Sequence, residues 1–98
     1  MTRWINGVKP SDVMTGPEKW TTGEFARTKS GHAIEPECGK AVCFCLLGVV
    51  KLCAANSFAE RKRLEIMLDT CDLDKWNDDP TRTFDEIITV LLKLEAMK

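Results

Sequence analysis

Apolar residues form a long block in the middle of the chain. Residues 41–55 read AVCFCLLGVVKLCAA and are apolar on every side except at Gly48 and Lys51. A run of about 15 residues is shorter than the roughly 20 that a bilayer span needs. The pattern therefore favours a helix buried in the middle of a domain. We expect this central, cysteine-rich helix to cover residues 38–54.

Two capping boxes mark the starts of the helices that follow. Residues 57–60 (SFAE) and 83–86 (TFDE) both have the S/T-x-x-E pattern, in which two side chains satisfy free amides at a helix start. Apolar residues then recur at helical spacing, which predicts amphipathic helices over 57–71 and 83–97. Between these two helices, residues 72–82 carry turn formers and a proline, so helical structure should lapse there.

The first forty residues show a weaker pattern. A short helix could start at Pro10 and be stopped by the Gly16-Pro17 pair. Residues 20–35 fit a β-hairpin with a Lys-Ser-Gly turn, and residues 1–18 could form a less ordered arm. The whole pattern predicts an α+β fold, in which a β-hairpin packs with about three helices around a buried central Cys-rich helix.

Length and charge narrow the class of protein. A chain of 98 residues predicts one small globular domain over residues 1–98. The formal net charge of -1 creates no field that would attract a polyanion, so a nucleic-acid partner is not expected. The one basic cluster is Arg61, Lys62 and Arg63, flanked by acidic residues. We interpret it as the solvated face of a helix, with a phosphate or nucleic-acid contact as the alternative.

The cysteines and the amino-terminal stretch indicate a compartment. The stretch MTRWINGVKP has no apolar region of the kind a signal peptide carries, so we expect a cytoplasmic protein with no membrane association. Five cysteines is an odd count, and none forms a CxxC pair. In a reducing compartment they would be thiols rather than a disulfide framework.

A thiol nucleophile is the first candidate site. Cys38 falls at the predicted start of the central helix, where the helix dipole can lower a thiol pKa. The only histidine, His32, lies six residues upstream and could act as its base. Against this, Glu35 and Glu37 would raise the thiol pKa, and no amide-rich stretch suggests an oxyanion hole. We therefore assign no catalytic residues.

A zinc site is the second candidate. On the predicted helix, Cys38, Cys45 and Cys53 share one face. A separation of seven residues places their sulfur atoms about 10 Å apart along the helix axis, too far for one ion. We therefore expect these cysteines to pack in the core, with no metal and no cofactor.

The third candidate is the stretch WNDDPTRT at residues 76–83. Asn77, Asp78 and Arg82 could bind a polar ligand or a partner. Alternatively, these side chains hold a turn, with Arg82 paired to Asp78 and Thr83 capping the last helix. Tryptophans commonly anchor interfaces as well as cores. The candidate partner-binding set is Trp20, Trp76, Asn77, Asp78 and Arg82.

Three segments together resemble the marks of a small uncharacterised bacterial and phage family. They are a W-x-x-G segment at residues 20–23, a C-x-x-G helix at residues 45–48 and a W-N-D-x-x-x-R-T segment at residues 76–83. The resemblance covers roughly residues 18–95. It implies a bacterial or bacteriophage origin and carries no activity with it.

Two functional hypotheses follow. The favoured one is a non-enzymatic protein-binding module, such as a phage-encoded inhibitor of a bacterial defence complex of the anti-CRISPR type. The alternative is a small thiol-dependent enzyme or a ligand-binding protein. It would use Cys38 or Cys45 with His32, or the group formed by Asn77, Asp78 and Arg82.

Overall fold

Five α-helices and a two-stranded antiparallel sheet make up the fold in the computed structural model, which describes residues 2–97. In chain order the elements are α1 (Pro10–Val13), β1 (Ala26–Arg27), β2 (Cys43–Phe44), α2 (Leu46–Cys53), α3 (Ser57–Leu68), α4 (Leu73–Asp78) and α5 (Phe84–Ala96). Single 3-10 turns lie at Ile5–Gly7 and Pro17–Lys19. The predicted α+β class is confirmed. Within residues 2–97, no helix has the length and apolarity that crossing a membrane requires.

Helix α2 forms the centre of the core and packs against α1, α3 and α4. Its inner residues include Leu46 and Val49, which are fully buried. The helix begins at Leu46 and not near residue 38, because Cys45 has an extended backbone and its sulfur caps the helix by accepting a hydrogen bond from Gly48 N at 3.2 Å. The preceding residues form turns and β2, so the predicted start is corrected by about two helical turns.

The small sheet joins β1 to β2, with Ala26 opposite Phe44 and Arg27 opposite Cys43. The turn expected inside residues 20–35 is present, but Ala33 on its far side makes only an isolated bridge. Both edges of β1 are paired: on the hairpin side Ile34 N donates to Ala26 O at 3.1 Å, and on the side of β2 Val42 N donates to Arg27 O at 2.9 Å. The predicted hairpin is therefore present as a short bridged turn, and a second partner strand, β2, comes from further along the chain.

Helix α3 starts differently from the prediction. Asn56 caps it by accepting a hydrogen bond from Ala59 N at 3.1 Å, so the expected box at residues 57–60 does not form. Glu60 is instead 2% exposed and pairs with Arg3 at 2.7 Å. The helix ends before Asp69, which takes the left-handed conformation with φ 51°.

Helix α4 occupies the segment where helical structure was expected to lapse. Asp72 starts it by accepting a hydrogen bond from Lys75 N at 3.0 Å, and Leu73 anchors it in the core at 2% exposure. A short helix forms here because capping and burial outweigh the turn-forming composition. The predicted capping box of α5 is confirmed, since Thr83 and Glu86 exchange hydrogen bonds at 3.0 and 3.3 Å.

The amino-terminal segment over residues 2–18 packs against the helices. Trp4 is 8% exposed and Met14 is 1% exposed, and both belong to the core cluster. The Arg3 guanidinium donates hydrogen bonds to the carbonyl oxygens of Leu94 and Met97 at the end of α5. These contacts close the domain by joining the two ends of the described chain.

Candidate functional site

The side chain of Asn77 joins three parts of the chain and is 1% exposed. Its Oδ1 accepts hydrogen bonds from the indole Nε1 of Trp20 at 2.9 Å and from Leu46 N at 3.0 Å. Its Nδ2 donates to Thr21 O at 3.2 Å and to Asp78 Oδ1 at 2.9 Å. A carboxamide has two donors and two acceptor lone pairs. Every hydrogen-bonding position of Asn77 is therefore used inside the protein, and we call these five residues the Asn77 junction.

The three motif segments meet at this junction. The W-x-x-G segment supplies the Trp20 indole and Gly23 N, which donates to Asp78 Oδ1 at 3.0 Å. The C-x-x-G segment supplies Leu46 N and Gly48. A Cβ at Gly48 would lie 1.9 Å from the carbonyl oxygen of Phe25, so this position requires glycine. The motif residues thus share one structural task, the joining of α2 and α4 to residues 20–25.

Arg82 forms a second contact next to the junction. Its guanidinium carbon lies 3.7 Å from the centre of the Trp76 ring, and its Nε donates to Trp76 O at 2.9 Å. Its Nη1 donates to Glu86 Oε2 at 2.7 Å, and Asp79 lies at 3.9 Å. The hydrogen bond from Arg82, together with the one from the Thr83 amide, lowers the pKa of the Glu86 carboxyl. The carboxylates that pair with Arg82 are therefore those of Glu86 and Asp79, and not that of Asp78 as the sequence suggested.

The five residues predicted to bind a partner fall into two groups. Trp20, Asn77 and Asp78 meet in the junction, and Trp76 stacks with Arg82 beside it. Most of their polar atoms bond within the protein, although only Asn77 among the five is buried and Asp78 is exposed. The structural alternative therefore accounts for their arrangement, and direct contact of these residues with a partner stays a prediction.

A small acidic cleft opens beside the junction. It has a volume of about 150 Å³ and is lined by Gly23, Glu24, Phe25, Cys45, Asp74 and Asp78. Asp74 and Asp78 are four residues apart on α4 and so lie on the same face. Burial, followed by repulsion from neighbouring carboxylates, raises the pKa of Asp74. The charged side chains that line this cleft are all carboxylates.

Cys45 lines the cleft, is 3% exposed and is poorly suited to nucleophilic chemistry. Burial raises the pKa of its thiol to about 11, with the charges of Asp74 and Asp78 acting in the same direction and the Gly48 amide opposing them. At neutral pH the thiol is therefore protonated, and the thiolate is the nucleophilic form. Burial also raises the pKa of the Cys53 thiol to about 11.

Cys38 and His32 do not form the arrangement that the thiol hypothesis needs. Cys38 lies in a turn, in which its amide donates to Glu35 O at 3.0 Å, and no helix starts there. His32 is exposed, and its Nδ1 lies 3.1 Å from Ser30 Oγ. No hydrogen bond links it to Cys38 among the residues that the structure describes. The helix dipole that was expected to activate Cys38 therefore does not act on it.

Metal ligands are also not assembled. Across residues 2–97, no group of three or more His, Cys, Asp and Glu side chains is placed to hold a metal ion. Two of the cysteines considered for zinc, Cys45 and Cys53, are buried, and Cys38 is half-buried outside the helix.

An apolar groove of about 260 Å³ lies between α2 and the start of α3. Its exposed apolar walls are Phe25, which is 43% exposed, and Phe58, which is 66% exposed. We define the aromatic groove by six of its lining residues, Phe25, Leu47, Val50, Lys51, Phe58 and Arg61. Two lysines lie near its rings, with Lys51 Nζ 5.7 Å from the centre of Phe25 and Lys62 Nζ 5.4 Å from that of Phe58.

Sequence reasoning missed this groove, although the signal was present. Extending the helical phase of α3 back from the buried Leu64 places residue 60 on the inner face and residue 58 outside. Glu60 is accordingly buried and Phe58 exposed, which reverses what their polarity alone would suggest. In the same way Ala26 points into the core, so the adjacent Phe25 points outward.

These features define a small α+β protein whose motif residues hold its segments together and whose surface presents an aromatic groove. The chain belongs to DUF6197, a family of unknown function whose profile matches residues 11–96. That span contains all three motif segments and both phenylalanines of the groove. No curated protein and no solved structure matches the chain.

Proposed function

We propose that this protein is non-enzymatic and acts by binding another protein through the aromatic groove. The observation that carries the proposal is the exposure of Phe25 and Phe58, at 43% and 66%, in the lining of one apolar depression. Covering the exposed parts of both rings amounts to burying about one full phenylalanine, which contributes roughly 1.5–3 kcal/mol. Exposed aromatic side chains around a pocket are typical of protein-binding surfaces.

Hydrogen bonds hold the backbone at both phenylalanines of the groove, which supports its use in recognition. The carbonyl oxygen of Phe25 accepts a hydrogen bond from Cys45 N at 3.0 Å and lies against Gly48. Phe58 stands in the first turn of α3, where Asn56 caps the helix. A surface that is ordered before binding loses less conformational entropy when a partner covers it.

The thiol-dependent alternative has weaker support. The thiol of Cys45 has a pKa of about 11, and Cys38 has no helix start to activate it. Inhibition of a bacterial defence complex, of the anti-CRISPR type, stays a prediction about the identity of the partner. A cytoplasmic location and a bacterial or phage origin likewise stay predictions.

Quantitative affinity capture tests the proposal. The tagged protein is incubated with bacterial lysates that include defence complexes, alongside a Phe25→Ser, Phe58→Ser double variant. The matched control is Leu92→Ser, which removes an apolar side chain that is 52% exposed on α5 and does not line the groove.

We expect a stoichiometric partner that the wild type and the Leu92 variant retain and the double variant loses. A partner that binds the double variant as well as the wild type would contradict the proposal. The absence of any stoichiometric partner across these lysates would also count against it.

A further inference from the structure

Phe25 lines two depressions whose charged lining residues have opposite signs. On one side lies the aromatic groove, whose charged lining residues are Lys51 and Arg61. On the other side lies the acidic cleft, whose charged lining residues are Glu24, Asp74 and Asp78. The same ring lines both depressions.

We propose that the occupant of the aromatic groove is an acidic segment of a partner protein, with apolar side chains that cover the two phenylalanines and carboxylates that meet Lys51 and Arg61. This inference rests on the proposed function and adds the chemistry of the partner. Complementary charges around an apolar centre select a partner and speed its association.

Lys51 and Arg61, the cations of the groove, can bind carboxylates of a partner protein. Lys51 pairs with Glu35 at 3.6 Å, where the two side chains are 45% and 74% exposed. Arg61 pairs with Glu65 at 3.4 Å, where the two side chains are 52% and 15% exposed. An ion pair as exposed as Lys51–Glu35 contributes little to stability, so a carboxylate of the partner can replace that of Glu35. The exposed half of Arg61 can bind a carboxylate of the partner while Arg61 keeps its bond to Glu65.

The acidic cleft gives the bound segment a direction. An acidic side chain placed on the far side of Phe25 would meet Glu24 and Asp74, and repulsion between like charges disfavours that arrangement. The carboxylates of the segment should therefore lie towards α3, and its neutral or basic residues should lie towards α4. The cleft acts here only by repulsion and is assigned no ligand of its own.

The test is a selection from a library of random linear peptides displayed on phage, with the full-length protein as target. Selected peptides are synthesised, and their affinities are measured by fluorescence polarisation at low and at physiological salt. The charge variant is Lys51→Glu with Arg61→Glu, and its control is Lys93→Glu, which reverses an exposed lysine on α5. A Phe25→Ser, Phe58→Ser variant reports whether a peptide uses the groove.

We expect peptides rich in Asp and Glu around an apolar residue, with affinity about tenfold or more weaker for the charge variant and nearly unchanged for the control. Groove-dependent peptides with no acidic excess, or equal affinity for the charge variant, would overturn the inference and leave the proposed function standing. Peptides that bind the serine variant as tightly as the wild type, or no selected peptide at all, would count against both proposals. Self-association that Phe58→Ser abolishes would identify a second copy as the occupant and overturn the acidic segment.

Discussion

Replacement of Asn77 by alanine should be among the most damaging changes to the fold. The substitution leaves the Trp20 indole, Leu46 N and Thr21 O without their present partner in a region where Asn77 is 1% exposed. Each buried polar group left unsatisfied costs about 1–3 kcal/mol. Because the surrounding side chains can relax and satisfy part of these groups, we expect a total loss of about 3–5 kcal/mol. That is a large fraction of the 5–15 kcal/mol that is typical of a folded domain.

Urea unfolding followed by tryptophan fluorescence measures this loss, since Trp20 lies in the junction itself. The matched control is Lys75→Ala, which removes an exposed side chain from the same helix and should change stability by less than about 0.5 kcal/mol. Asn77→Asp distinguishes the acceptor role of the side-chain amide from its donor role. It keeps an acceptor for Trp20 and Leu46 but loses the donor to Thr21 and adds a charge beside Asp78. A loss below about 1 kcal/mol in Asn77→Ala would refute the structural role of the junction.

Three further predictions test other parts of the structure. Gly48→Ala should destabilise the protein by about 1–3 kcal/mol, because its new Cβ would clash with Phe25 O, and thermal unfolding measures this. Burial opposes the ionisation of Glu60, but its hydrogen bonds to Arg3 and the charge of that arginine prevail and hold its pKa below the usual 4.5. This ion pair therefore stabilises the fold above pH 4.5, and its contribution is lost as the pH falls through the lowered pKa. When the free energy of unfolding is measured at a series of pH values, Glu60→Gln should lose less stability at acidic pH than the wild type does. The same dependence of stability on pH in both proteins would contradict this role of Glu60. Alkylation at neutral pH should label Cys45 only as fast as the protein opens, because its side chain is 3% exposed and burial keeps its thiol protonated with a pKa of about 11. Rapid labelling of Cys45 in the native state would revive the thiol hypothesis.

Elements with local signals were predictable from the sequence. Helix α5 follows its capping box because Thr83 and Glu86 satisfy each other within one turn. The buried character of α2 likewise follows from an apolar run too long for a strand. In both cases the decisive interactions lie close together in the chain.

Elements that depend on distant residues were not predictable in this way. Glu60 leaves its expected capping position because Arg3, 57 residues away, provides a buried ion pair. Helix α4 forms where turn residues predominate because Leu73 is buried and Asn77 finds partners in two other segments. The polar residues of WNDDPTRT stood out in the sequence, but one sequence does not show whether a polar side chain bonds inward or outward.

The most direct test of the central claim is the affinity of Phe58→Ser for the captured partner, measured together with its free energy of unfolding. Phe58 is 66% exposed, so its replacement should leave stability within about 0.5 kcal/mol of the wild type. We predict that the same variant binds the partner about tenfold or more weakly. Unchanged affinity in this stable variant would contradict the assignment of the aromatic groove as the binding surface.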